Sequence, residues 1–149
     1  MSTRSYTKIW VHYIWGTKNH SKVLTDKEFR KKISLHLMEN SKEKGIYMKV
    51  NYINSDHVHA LIDLPTNKTV EEVARLLKGE LSHWINNNID FKFNWSVGYA
   101  AFSVSESNVE RVERYILNQE EHHRKKTFTE EYEEFLRAYK INYKPVNRL

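Results

Sequence analysis

Four times in this chain a serine or threonine is followed three residues later by glutamate: Thr25/Glu28, Thr69/Glu72, Ser107/Glu110 and Thr127/Glu130. In each pair the hydroxyl can take an orphan amide of a first helical turn while the carboxylate reaches back to the capping residue. The pairs predict helices over 25–44, 69–87, 107–123 and 127–139, the first closed by Gly45. The stretches between them are rich in β-branched and aromatic residues: IWVHYIWGT (9–17), IYMKVNYIN (46–54), HVHALIDL (57–64) and VGYAAFSVS (97–105). The order is therefore β, α, β, β, α, β, α, α. Its first six elements are those of an α+β, ferredoxin-like (split βαβ) fold, an antiparallel four-stranded sheet with two helices on one face. The other face is left for the additional C-terminal helices, or for a partner chain or ligand.

With 149 residues, 40% of them hydrophobic and 29% charged, and only four glycines and two prolines, the chain reads as one globular domain spanning 1–149. It has no cysteine, so disulfides and thiolate chemistry are excluded, and any metal site must use His, carboxylate, amide or water. No apolar run approaches the ~20 residues of a membrane span. The opening MSTRSYTK lacks the apolar core of a signal peptide, so a cytoplasmic location is expected. Net charge is +5, and residues 1–50 carry the excess, with 11 Lys/Arg against 4 Asp/Glu. Interleaved with Trp10, Tyr13 and Trp15, this basic block suits a nucleic-acid backbone and its bases, and equally a solvated surface. Lys18, Lys22, Arg30 and Lys31 are the backbone contacts that charge position suggests.

Alternation along the third strand puts Val58, Ala60, Ile62 and Leu64 on one side, an apolar row suited to packing under helices. His57, His59, Leu61 and Asp63 take the other side, where the two imidazoles stand about 6.5–7 Å apart and can converge on one ion. An ordinary polar strand fits the same pattern until a third group arrives. In SNVERVERYILNQEEHH, Val109, Val112 and Ile116 form a packing stripe, and Tyr115 and Gln119 project together along one of its edges. If that helix packs on the open sheet face, two imidazoles, a phenol and a carboxamide meet. Imidazoles with an amide oxygen can bind a divalent cation without adding negative charge, which leaves the site receptive to a phosphate. A neighbouring phenol can then attack that phosphate.

In order and over nearly the whole chain, VHYIWGTKN, DHVHALIDLP, LLKGELSHWIN, GYAAFSVSES, YILNQEEHH and TFTEEYEEFL resemble a single-tyrosine (Y1) transposase of the IS200/IS605 type, in the HUH endonuclease superfamily. The resemblance implies that His57 and His59 are the HUH pair and Gln119 the third ligand of Mg²⁺ or Mn²⁺. It implies that Tyr115 is the nucleophile on single-stranded DNA, becoming 5′-phosphotyrosyl-linked and releasing a 3′-hydroxyl. It further implies hairpin-containing element ends as substrate, a homodimer whose tyrosine helices complete each other's sites, and a nucleoid-associated protein of a bacterial or archaeal cytoplasm. Trp95 and Ser96 stand where relatives often carry Trp-Gln. Lys78 and Gly79 match the family's Lys-Gly, and from the residues alone they read as an exposed charge and a close-packing glycine. His122 and His123 stay open between a backbone-phosphate contact and a structural role. Two other functions compete: a catalytically silent nucleic-acid binder on the same fold, and a metal-dependent phosphoesterase that uses water and leaves Tyr115 without a task.

Overall fold

The computed structural model describes residues 5–143. Its elements are β1 (Trp10–Gly16), α1 (Lys27–Glu43), β2 (Tyr47–Ile53), β3 (His57–Asp63), α2 (Val70–Asn86), β4 (Ala100–Val104), α3 (Val109–Leu117), α4 (Gln119–His123) and α5 (Phe128–Ala138). The strands lie in the order β2-β3-β1-β4 with every neighbour antiparallel, which is the split βαβ arrangement. One face of the sheet, carrying Val11, Tyr13, Trp15, Val58, Ala60 and Ile62, packs against Ile33, Leu37, Val73, Leu77 and Leu81 of α1 and α2. The other face is covered by the chain's own last helices. Ile14, Ala100 and Phe102 meet Phe128 and Leu136 of α5, while Trp10, Val50 and Leu61 meet Val109 and Ile116 of α3.

Two of the four capping pairs form as written. Thr69 with Glu72 and Thr127 with Glu130 make both reciprocal bonds at the starts of α2 and α5. At α1 the cap shifts by one residue, because the Asp26 carboxylate reaches the Glu28 amide at 3.0 Å and Thr25 is left out of the helix. Ser107 lies inside a 3₁₀ turn over 106–108 that leads into α3, so it caps nothing. Gly45 closes α1 with φ +74°, and the Ile46 amide returns to the Ser41 carbonyl at 2.8 Å, a Schellman-type ending.

The helix expected over 107–123 is broken. Asn118, with φ −99° and ψ 30°, separates α3 from α4. The Tyr115 carbonyl at the break is met by the Asn118 amide and by the Gln119 side-chain amide, each at 3.3 Å, so the interrupted ladder leaves no orphan there. A β-bulge between Met48 and Val50 sends Met48 to the α1/α2 face and Val50 and Tyr52 to the other, beside Leu61 and His59.

Lys78 also departs from its expected role. Its ammonium is half-buried and donates to the carbonyls of Ser96, Val97 and Gly98 at 2.9, 3.0 and 2.9 Å, tying down the approach to β4. Gly79 is not a close-packing glycine, since a Cβ there would meet nothing within 4 Å. The close approach is at Gly16, where a Cβ would lie 2.7 Å from the Phe128 ring. That ring is stacked on His57, with centroids 4.0 Å apart, and has little room to yield. Gly16→Ala is therefore expected to destabilise the fold by about 1–3 kcal/mol through overpacking, read as a lowered midpoint in chemical denaturation.

Candidate active site

Alternation along β3 does what its sequence requires: His57 and His59 both leave by the face under α3–α5, and both are fully buried. Between them and the helices lies a carboxylate that sequence reasoning missed. Glu131, in the first turns of α5, is only 3% exposed. Its Oε1 is 3.2 Å from His57 Nε2, 3.1 Å from His59 Nε2 and 3.3 Å from His123 Nε2. Its Oε2 accepts a hydrogen bond from the Tyr115 hydroxyl. One ligand atom from each of His57, His59 and Glu131 lies within 4.8 Å of the others, and two imidazoles with a carboxylate are a donor set that suits a divalent cation.

Gln119 is placed one step behind this cluster. Its Oε1 accepts from Asn54 Nδ2 at 3.2 Å and lies 3.0 Å from His123 Nε2, and its Nε2 donates to Glu131 Oε2 at 3.4 Å. Tyr115 and Gln119 thus do meet the histidine pair, with Glu131 at the centre. His123 enters the site, whereas His122 lies against the Tyr115 ring, centroids 4.4 Å apart.

Each histidine is held from behind. Asp56 Oδ1 meets His57 Nδ1 at 2.6 Å, and His12 Nε2 meets His59 Nδ1 at 2.8 Å. Such partners fix the ring orientation and the tautomer of a ligating imidazole. For His59 to ligate through Nε2, its Nδ1 must carry the proton and His12 must accept through Nε2.

The surroundings split the titrations. Burial lowers His59, and burial together with His59 holds His12 well below the usual imidazole range. Burial would lower His57 as well, but the hydrogen bonds to Asp56 and Glu131 outweigh it and raise that ring. Burial would raise Glu131, yet the imidazoles of His59, His123 and His57 hold it far below the usual carboxylate range. Tyr115 is pushed well above the ordinary phenol range by burial and then by the Glu131 charge.

The four basic residues singled out from charge line different cavities. Lys22 lines a cavity of about 240 Å³ with Asp56, His123 and Lys126, and Arg30 and Lys31 line another with Tyr52 and Asn118. Lys18 lies apart from both, its amide bonded to the Asn94 carbonyl at 3.0 Å. Glu131 and His12 left weak traces in the sequence. His12 shares a strand face with Trp10 and Ile14, and Glu131 interrupts the apolar stripe of Phe128, Phe135 and Leu136. Asp56 heads the DHVHALIDLP run, while Asn54, in the same turn before β3, left no trace.

Residues 5–119 match the family model "Transposase IS200 like". The chain belongs to that family. Among solved structures, a candidate transposase from Deinococcus radiodurans R1 shares its fold with a TM-score of 0.64 and 22% identity, over 80% of this chain and 96% of that one. A REP-associated tyrosine transposase bound to a REP hairpin matches with a TM-score of 0.59 and 15% identity, over 83% of this chain and 73% of that one. No curated protein sequence matches the chain significantly. The transposase-family match ends at Gln119, so Glu131 reaches the site from a stretch it does not cover. Among the described residues, no helix of this transposase-family chain is long and apolar enough to cross a membrane.

Proposed function

We propose that this chain, as one unit over 1–149, cleaves and rejoins single-stranded DNA through Tyr115. The observation that supports the reading is the shared carboxylate, since Glu131 touches the Tyr115 hydroxyl with one oxygen and His57 and His59 with the other. In cleavage the Tyr115 oxygen bonds to phosphorus as the bond from phosphorus to the 3′ oxygen breaks. The phenol gives up its proton and the departing oxygen gains one, leaving a 5′-phosphotyrosine and a 3′-hydroxyl. One phosphodiester replaces another, so no nucleotide triphosphate is consumed, and rejoining is the reverse step.

His57, His59 and Glu131 would hold the divalent cation, and bound Mg²⁺ or Mn²⁺ would polarise the scissile phosphate and orient its oxygens. Asp56 and His12 keep the two imidazoles aimed, and Gln119 braces Glu131 and the Tyr115 carbonyl. Burial around Tyr115 keeps its hydroxyl protonated at neutral pH, with that proton directed at Glu131 Oε2. The solved relative carrying a REP hairpin supports hairpin-containing DNA as the substrate here. We place that reaction at the nucleoid of a bacterial or archaeal cytoplasm.

The face that would have called for a second subunit is covered by the chain's own α3 and α5, which bring Tyr115 to its own histidines. From this covering we propose catalysis in cis. Mixing Tyr115→Phe chains with His57→Ala chains is expected to restore no cleavage. Rescue would show that subunits exchange tyrosine helices.

The deciding experiment is incubation with labelled hairpin-containing single-stranded DNA and Mn²⁺, followed by a denaturing gel. A protein–DNA adduct is expected. A silent binder would shift the DNA in a native gel and form no adduct, and a phosphoesterase would cut without one.

A further inference from the structure

A groove of about 620 Å³ opens between α1, the outer strand β2 and the Asn118 break. One bank is cationic, formed by Lys27, Arg30 and Lys31 on a single face of α1. The rest of the lining includes apolar groups that are unusually exposed: Leu35 is 64% and Leu117 57% exposed, and the partly exposed Tyr52 joins them. Such a size and lining are those of a ligand site. The single acidic residue in the lining, Glu120, is already engaged by Lys27 at 3.3 Å and by the Tyr52 hydroxyl at 3.2 Å. Arg30 spends one N–H on the Leu24 carbonyl at 2.8 Å, which anchors its guanidinium rather than neutralising it.

The groove ends at the chemistry. Tyr52 is the cross-strand partner of His59 and packs in the same apolar cluster as Tyr115. Leu117 and Asn118 belong to the segment between Tyr115 and Gln119. Cations along one wall, with exposed apolar and aromatic groups along the other, match a strand whose phosphates and unpaired bases are both accessible. A duplex hides its bases and would leave Leu35, Leu117 and Tyr52 without a partner.

We propose that this groove seats the unpaired nucleotides flanking the phosphodiester presented to Tyr115, with their phosphates on Lys27, Arg30 and Lys31 and a base against Tyr52. The inference rests on the single-strand cleavage reading above. Its test separates the two by measuring binding in the full-length Tyr115→Phe chain, where no cut can occur. The probe is a short fluorescent single-stranded oligodeoxynucleotide, followed by anisotropy across a salt series. Lys31→Glu and Leu35→Glu, both at exposed positions, are each expected to weaken binding about ten-fold, and Lys31→Glu to reduce the salt slope by about 0.7 for each phosphate no longer neutralised. Lys32→Glu makes the same charge change one residue on, outside the groove, and is expected to stay within about two-fold of the parent. An oligonucleotide carrying 5-iodouracil should photocrosslink to Tyr52, as mapped by peptide mass spectrometry.

Equal losses in Lys31→Glu and Lys32→Glu would overturn the groove and leave the cleavage reading standing. So would a crosslink outside the groove, or a blunt duplex that binds as tightly as the single strand. The reverse result, groove-dependent binding with no adduct in the parent chain, would remove the cleavage reading alone.

Discussion

Tyr115→Phe is expected to abolish the covalent protein–DNA adduct, lowering strand cleavage by at least about 10³-fold, the scale of losing a nucleophile. The substitution removes one oxygen and keeps the ring. That ring contributes packing of its own, against His122 at 4.4 Å, Phe135 at 5.7 Å and His59 at 5.8 Å between centroids. The variant should therefore fold, bind single-stranded DNA and retain metal while failing to cut. Cleavage that persists in Tyr115→Phe would end the phosphotyrosine mechanism and leave water as the nucleophile. Chelation should silence the parent chain as completely, because burial and the Glu131 charge raise the Tyr115 phenol and a bound cation would offset them.

The second large effect concerns which residue completes the metal site. Family resemblance nominates Gln119, whereas the geometry puts Glu131 against both imidazoles and Gln119 behind it. Removing a ligating carboxylate from a three-ligand set should cost more than removing its brace, which typically costs 10–100-fold in metal affinity. Mn²⁺ affinity, read by electron paramagnetic resonance on protein without DNA, is thus expected to fall more than about 100-fold in Glu131→Ala and about 10-fold in Gln119→Ala. The opposite ranking would return the third position to Gln119.

Glu131 also carries a pH signature in the metal-free protein. Burial opposes its charge, but the imidazoles of His59, His123 and His57 win and hold it below its ordinary 4.5. A carboxylate depressed on folding contributes stability that is complete above the unfolded value and shrinks as pH falls below it. With chelator present, the stability difference between the parent and Glu131→Gln should therefore be full above about pH 4.5 and close steadily in more acid solution.

Much of this was legible in the residues because two periodicities carry it. A period of two along HVHALIDL fixes the face of His57 and His59 whatever the rest of the chain does, and a helical period pairs Tyr115 with Gln119. Thr69 and Thr127 announced their helices correctly because nothing nearby offered a better cap, while Asp26 outcompeted Thr25. The break at Asn118 was hidden. Its compensation is a side chain, Gln119, that takes over the Tyr115 carbonyl, and no local pattern encodes such an exchange. Glu131 was hidden for a different reason. It stands 72 residues from His59, and only the docking of α5 on the second sheet face makes them neighbours.

That docking divides the site by durability. His57 and His59 belong to a strand paired on both sides and covered on both faces, the part of a fold whose amides open last. Glu131 rides on an eleven-residue helix near the end of the described chain, held by its own cap and by Phe128 and Leu136. Loss of the α5 docking would carry the carboxylate away while the histidines stayed in register. The imidazole pair is thus built into the sheet itself, whereas the carboxylate that joins it to Tyr115 depends on a single helix staying docked.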